Sequence, residues 1–468
     1  MTIGWGALGV ASIWAVGFVA APILRHLNGP QRVGFAYGLG LVWISTMMGA
    51  AGLAGLPLTP AAGIAVILGP AAGWWLARAW RGRLPGAPRT GLGEMVVVRD
   101  PLWWGGATVL ALLWLIVTGR AVLKPIQFWD AWATYAFKAK VIFLEAAIPS
   151  PALFGWGGSP NYPDYPLGIS LQEVWVSWFV GSWDDVAVKL LFPGYLLSLL
   201  YLAYGSLREQ WEARPAMLGT LFVAGLPLVL QHGHDGYTNL PLAYFVFGGA
   251  IALTRYARSG DRRDLVLAAL FGAGLVWTRV DGVVFVACNA LLLLVLAARR
   301  SPVLITKGWV DVSIYLAPPL LVWGAWSLVK LHFGISSTFQ PDGSSVVPLF
   351  DRWLRIAAVF FRSFFLDGNW LILWALFALA VIHRWREVVS PQSLFLFWPV
   401  IFYLGGIAFL FATTDLFRFL EDGTVVHRLI LHVAPLAALW VVQVLGRWVS
   451  ERTSAEGSRP EMAVGRGT

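Results

Sequence analysis

The sequence predicts an all-α protein, a polytopic membrane helix bundle of about 13 transmembrane helices. Three observations lead there. Of 468 residues, 58% are hydrophobic and only 13% are charged, against roughly 25% charged in an average soluble domain. Apolar runs of about 20 residues, enough to cross a bilayer, recur from one end of the chain to the other. The 27 tryptophans and 28 phenylalanines suit membrane–water interfaces, where aromatic rings gather.

In chain order the spans fall near residues 3–24, 34–55, 61–80, 102–122, 186–206, 215–231, 237–256, 264–279, 281–298, 309–331, 369–385, 393–413 and 427–447. The first has no basic segment before it and reads as a retained span, not a cleaved signal peptide. The net charge of +9 does not indicate nucleic acid, because the arginines sit at the ends of apolar spans. One set of loops carries Arg25 and Arg32, Arg78 to Arg99, Arg208 and Arg214, Arg255 to Arg263, Arg299 to Lys307, and Arg384 and Arg386. The positive-inside rule makes these loops cytoplasmic. The single cysteine, Cys288, excludes a disulfide within the chain and a cysteine-based metal site.

The apolar stretch from Leu167 to Gly181 would reverse every later basic loop if it crossed, so it is expected to lie in or dip into the outer leaflet. Two extracytoplasmic loops are then long, 123–185 and 332–368, and long loops in compact proteins are usually functional. Four regions follow. Residues 1–100 hold three N-terminal helices and a basic cytoplasmic loop, and 101–331 form a seven-helix core that includes loop 123–185. Residues 332–447 hold the second external loop and the C-terminal helices, and 448–468 form a disordered cytoplasmic tail.

The external side collects the residues capable of chemistry. Trp129-Asp130 opens an alanine- and aromatic-rich segment that reads as an interfacial amphipathic helix. On it Asp130, Thr134 and Lys138 would share one face. Asp130 is either a carboxylate placed to take a proton from a hydroxyl or a helix N-cap. In Tyr162-Pro163-Asp164-Tyr165-Pro166 two prolines fix an extended turn, and Asp164 either binds a ligand or caps the next helix. The hairpin His232-Gly233-His234-Asp235-Gly236-Tyr237 places imidazole beside carboxylate. That makes His234 and Asp235 candidate ligands of a divalent cation, or else a polar turn with a capping Asp. Arg279 and Asp281 interrupt a long apolar run, where charges need partners or water; they form a self-neutralising pair or a phosphate grip. Arg428 lies at the mouth of the last span with His432 one turn on, either snorkelling to the surface or facing a ligand.

These positions, in this order, resemble the GT-C superfamily of membrane glycosyltransferases. The likeness is greatest to the bacterial branch related to protein O-mannosyltransferases and lipid A aminoarabinose transferases. It covers about residues 100–445 and rests on pattern and spacing. Its marks are Trp129-Asp130 after a span, the proline-rich Tyr162–Leu167 before a helix ending at Gly181, and Asp235. They continue with Thr278-Arg279-Val280-Asp281-Gly282, Asp415, and Arg428 to Pro435. The chain departs from the pattern in having one carboxylate where many members have an Asp-Glu pair. It also has Arg and Asp where the later motif has Lys and Glu.

The resemblance implies an inverting transfer of a hexose or pentose from a polyprenyl-phosphate-linked donor to a cell-envelope acceptor, at the outer face of the cytoplasmic membrane. Asp130 would be the catalytic base. Asp164, Asp235, Arg279, Asp281, Arg428 and Lys138 would bind substrate, and a divalent ion near His234 and Asp235 is a candidate cofactor. The expected partners are the lipid-linked donor, the acceptor and membrane lipid. The rival class is a lipid or solute transporter without bond chemistry, whose marks are mid-span charges and paired broken helices. A third is an assembly partner that has lost catalysis.

Overall fold

A computed structural model of the chain describes residues 1–19, 21–69, 100–148, 150–154, 162–300, 305–336, 350–414 and 416–457. The second half of the expected span 61–80, the end of the tail, and Asp415 lie outside these residues. The regular elements of the described residues are all helices, with no strand among them. Eight of the helices are long and apolar enough to cross a bilayer, including Pro101–Leu123, Asn239–Ser259 and Leu394–Thr413. Three shorter apolar helices accompany them, Pro60–Gly69, Ala213–Ala224 and Leu373–His383. The protein is therefore a multi-pass membrane helix bundle. Its breaks have local causes. The expected span 215–231 is divided before Pro227 into Ala213–Ala224 and Pro227–His232, because proline lacks the donor and clashes with the preceding turn.

The core is a stack of helix pairs. Arg262–Thr278 packs against both Asn239–Ser259 and Ile305–His332, and Gly29–Leu53 packs against Thr2–Val19 and Leu191–Arg208. The helices Thr2–Val19 and Gly29–Leu53 touch backbone to backbone. A side chain on Gly17 would collide with the carbonyl of Ala36, and one on Gly40 with that of Ile13, so only glycine permits the approach.

Two expectations change. The helix Gly168–Val180 was expected to lie in or dip into the outer leaflet as an interfacial element. Residues 168–178 are all buried, because Thr2–Val19 and Gly29–Leu53 cover them. A helix that is apolar on every side is a core helix once something encloses it. The second long loop also contains a helix, Phe350–Phe365. It buries Ile356, Phe360 and Ser363 against the bundle while Leu354, Phe361 and Phe365 are exposed, as are Arg355 and Arg362 on a separate stripe. That three-way division suits a helix lying in a membrane interface.

Candidate functional site

The site begins where the span Pro101–Leu123 ends and the chain turns into the interfacial helix. That helix is π-helical over Asp130–Ala136 and α-helical over Phe137–Glu145. The wider π turn breaks the 3.6-residue register, so the shared face expected for Asp130, Thr134 and Lys138 does not form. Thr134 and Lys138 are buried, whereas the Asp130 side chain is 40% exposed. Asp130 is not a helix cap either: Trp129 precedes the helix, without a side-chain cap. Its Oδ2 instead accepts from Nη1 of Arg428 at 2.5 Å, across 298 residues of sequence. Arg428 sits on the short helix Val426–Leu431, 17% exposed, with its guanidinium 4.9 Å over the ring of Tyr237.

Tyr237 belongs to the 232–237 hairpin. Asp235 Oδ1 accepts from the Tyr237 N–H at 2.8 Å, and its Oδ2 lies 2.9 Å from His232 Nδ1. Both side chains are buried. Gly236 has φ +90 and packs against Ala131, a side chain there lying 3.2 Å from the alanine methyl. The left-handed turn and the close approach each call for glycine, and together they dock the hairpin on the start of the interfacial helix. The carboxylate of Asp235 thus holds the turn through Oδ1, while its Oδ2 and His232 Nδ1 are buried without a hydrogen bond. His234 is half-buried, and burial is the leading cause that lowers its imidazole pKa below the usual value, with Asp235 opposing. Among the described residues no group of three His, Cys, Asp or Glu is arranged to hold a metal ion. His234 and Asp235 by themselves supply fewer ligands than a divalent cation takes.

Arg279 and Asp281 lie at the corner between the helices Arg262–Thr278 and Gly282–Arg300. Arg279 Nε donates to Asp281 Oδ1 at 2.9 Å, and its Nη1 donates to Thr238 Oγ1 at 3.3 Å and Asn239 Oδ1 at 3.5 Å. Tyr403 Oη is 3.2 Å from Asp281 Oδ2 and 2.5 Å from His432 Nδ1, and His432 Nε2 is 3.0 Å from Asn239 Oδ1. Asp130 and Arg279 both act electrostatically on buried Tyr135, from opposite signs.

Lys138 turns away from this cluster. Its ammonium donates to the carbonyls of Tyr162 and Tyr165 at 2.6 and 3.0 Å, so the expected substrate contact is replaced by an anchor for the proline-rich turn. Asp164 is buried beside it, and Trp326 Nε1 donates to the Asp164 carbonyl at 3.0 Å. The helix after this turn starts behind Leu167 without a side-chain cap, so Asp164 does not cap it. Gly181 ends that helix at φ +77.

Asp130, Asp235, Arg279, Asp281 and Arg428 thus meet at one end of the bundle, tied by the 235–239 segment, while Lys138 and Asp164 form a separate anchor. Sequence reasoning missed Asn239 and Tyr403. It also missed Lys189, which is buried within electrostatic reach of Asp235 and Asp185. The Asn239 and Tyr403 contacts span up to 193 residues, and a lone uncharged polar residue in an apolar helix has no local signature. Lys189 was detectable as an unpaired cation inside the apolar run that follows Trp183.

No family model matches the chain, and no curated protein matches it in sequence. Among solved structures, a crystal structure of ArnT from Cupriavidus metallidurans bound to undecaprenyl phosphate matches with a TM-score of 0.52 at 16% identity. The match covers 76% of this chain and 63% of that one, so less than two thirds of the ArnT chain has a counterpart here. The shared property is the fold, a polytopic helical architecture.

Proposed function

We propose that the protein is a membrane glycosyltransferase that moves a sugar from a polyprenyl-phosphate donor to a hydroxyl acceptor at the extracytoplasmic face of the cytoplasmic membrane. The observation that carries the reading is the meeting of Asp130 with Arg428, a half-exposed carboxylate against a side chain of the kind that binds phosphate. It occurs within a fold also found in a protein crystallised with undecaprenyl phosphate. Asp130 takes the proton of the acceptor hydroxyl as its oxygen bonds to the anomeric carbon. The bond from that carbon to the phosphate oxygen breaks, and the polyprenyl phosphate leaves with the electron pair. Arg428 and Arg279 stabilise the charge that develops on it. In-line displacement inverts the anomeric centre. No step is routed through a metal.

The donor phosphate competes with Asp130 for Arg428, so donor binding also releases the base. Arg428→Gln is expected to weaken undecaprenyl phosphate binding on the order of 10-fold, the loss of one charged hydrogen bond, by titration in nanodiscs. Unchanged affinity removes Arg428 from the phosphate site. Mass spectrometry of lipids and envelope glycans with and without the gene tests the reaction: one sugar modification should disappear and return on complementation. An unchanged glycan profile with a changed lipid distribution across the membrane favours a transporter instead. The side of the site is tested in a Cys288→Ser background by labelling single cysteines at Thr424 and Ser259. Thr424 should react with an impermeant maleimide in intact cells and Ser259 should not; the reverse pattern inverts the topology.

A further inference from the structure

We propose that Tyr403 and His432 are positioning residues which hold Arg279 and Arg428, carried on different elements, in the relation needed to grip one lipid phosphate. The inference rests on the lipid-phosphate reading above and deepens it. Five side chains close a ring: Arg279 to Asp281, Asp281 to Tyr403, Tyr403 to His432, His432 to Asn239, and Asn239 back to Arg279.

The hydrogen-bond roles are constrained. A guanidinium only donates, so Asn239 turns its oxygen, not its amide nitrogen, toward Arg279. The same oxygen faces His432 Nε2 at 3.0 Å, so Nε2 carries a proton. Nδ1 of the neutral ring is then an acceptor, so the single proton of the Tyr403 hydroxyl has two acceptors in reach, His432 Nδ1 at 2.5 Å and Asp281 Oδ2 at 3.2 Å; the shorter contact takes it, and Asp281 closes the ring by proximity to the hydroxyl oxygen. The imidazole is thereby fixed in tautomer and orientation. It lies at the C-terminal end of Val426–Leu431, the helix that carries Arg428 four residues earlier. A rotation of that helix has to move both His432 and Arg428.

Tyr403, His432 and Asn239 are each almost fully enclosed. An apolar set of similar shape would pack at least as well without the desolvation cost of so many polar groups, so stability alone gives no reason for the ring. What the ring holds at its rim does: the Arg279 side chain is 18% exposed and that of Arg428 17%.

The test is undecaprenyl phosphate binding to the full-length protein in nanodiscs, comparing wild type, Tyr403→Phe, Arg279→Gln and the double variant. Tyr403→Phe deletes one oxygen and keeps the ring stacked on Phe285, centroids 4.4 Å apart. Tyr403→Phe is expected to bind about 10-fold more weakly, and the double variant no more weakly than Arg279→Gln alone, because coupled residues do not add. Wild-type affinity in Tyr403→Phe overturns the proposal, and so does a full additive loss in the double variant, which marks a general packing defect. If Tyr403→Phe is not recovered as folded protein, His432→Gln takes its place under the same criteria. A wild-type protein that does not bind undecaprenyl phosphate removes the lipid-phosphate reading itself, and this inference with it.

Discussion

The two ends of the bundle are built from the same parts and use them differently. At the basic-loop end, Asp264 meets His26 at 2.7 Å and Arg255 at 3.1 Å. Arg255 also pairs with Glu209, which accepts from Gln31 at 3.0 Å. Arg384 bridges Glu451 at 2.8 Å and Glu387 at 3.3 Å, and Glu387 also takes Arg447 at 3.1 Å. The charges here interlock, Asp264, Glu209 and Glu387 each being shared between partners, and they clamp the N-terminal, central and final helices together. At the other end Asp130 meets one nitrogen of one arginine and keeps 40% of its side chain exposed. An exposed pair of that kind contributes only about 0–1 kcal/mol, too little to account for bringing together residues so far apart in sequence. The shared charges of the basic-loop end are structural; a lone, reachable pair at the end of an apolar bundle is where chemistry is expected.

The comparison breaks most decisively at Asp130. Asp130→Asn keeps size and polarity but removes the basic carboxylate. Transfer should fall on the order of 10²-fold or more, while the thermal midpoint in detergent stays near wild type because the lost pair is weak. Complementation of the glycan phenotype reads the first effect and a thermal scan the second. An active Asp130→Asn variant, or an inactive one that has also lost its fold, erases the distinction between the ends. Arg255→Gln is the converse. It leaves Asp264 and Glu209 without their shared cation inside the clamp, at a cost of about 3 kcal/mol. The midpoint should drop clearly while the folded fraction transfers sugar at close to the wild-type rate. A selective loss of rate at unchanged stability would place chemistry at the wrong end.

Which parts of this contrast the sequence exposes follows from where the signal is stored. Asp130, Arg279, Asp281 and Arg428 stand out because a charge inside an apolar run has no cheap local explanation, and the basic loops stand out for the same reason. The partners are another matter. Nothing near Arg428 in sequence points to Asp130, and nothing near Tyr403 points to His432 or Asp281. Asn239 reads locally as the start of a helix. The π-helical register of Asp130–Ala136 has no residue code, so an α-helical wheel misassigned Lys138. The burial of Gly168–Val180 depends on a cover supplied by Thr2–Val19, far earlier in the chain. The amphipathic helix Phe350–Phe365, by contrast, was legible: Arg352, Arg355 and Arg362 recur at helical spacing among aromatic residues, a pattern hidden only by treating 332–368 as one loop.

Lys138 gives the smallest and sharpest contrast, because it is a cation near the site that is buried rather than offered. Burial pushes its ammonium down to about 7, with the Asp164 carboxylate nearby pulling the other way; in an unfolded chain a lysine titrates near 10.4. Between those values the unfolded chain holds a proton that the folded one has released. Stability therefore rises as pH increases from about 7 toward 10, and this contribution is flat below 7, where both states are protonated. The neutral amine still donates to the carbonyls of Tyr162 and Tyr165, so the turn stays anchored as the proton leaves. The thermal midpoint should climb on the order of 1–2 °C between pH 7 and pH 9, and Lys138→Met should remove that climb, whatever it does to the midpoint itself. Other groups titrate in the same range, so the difference between the two profiles is the measurement. A slope that survives in Lys138→Met assigns the proton elsewhere. A Lys138-dependent midpoint that falls with rising pH means that the folded protein needs the charged ammonium, and Lys138 then rejoins the arginines as a cation held ready for a phosphate.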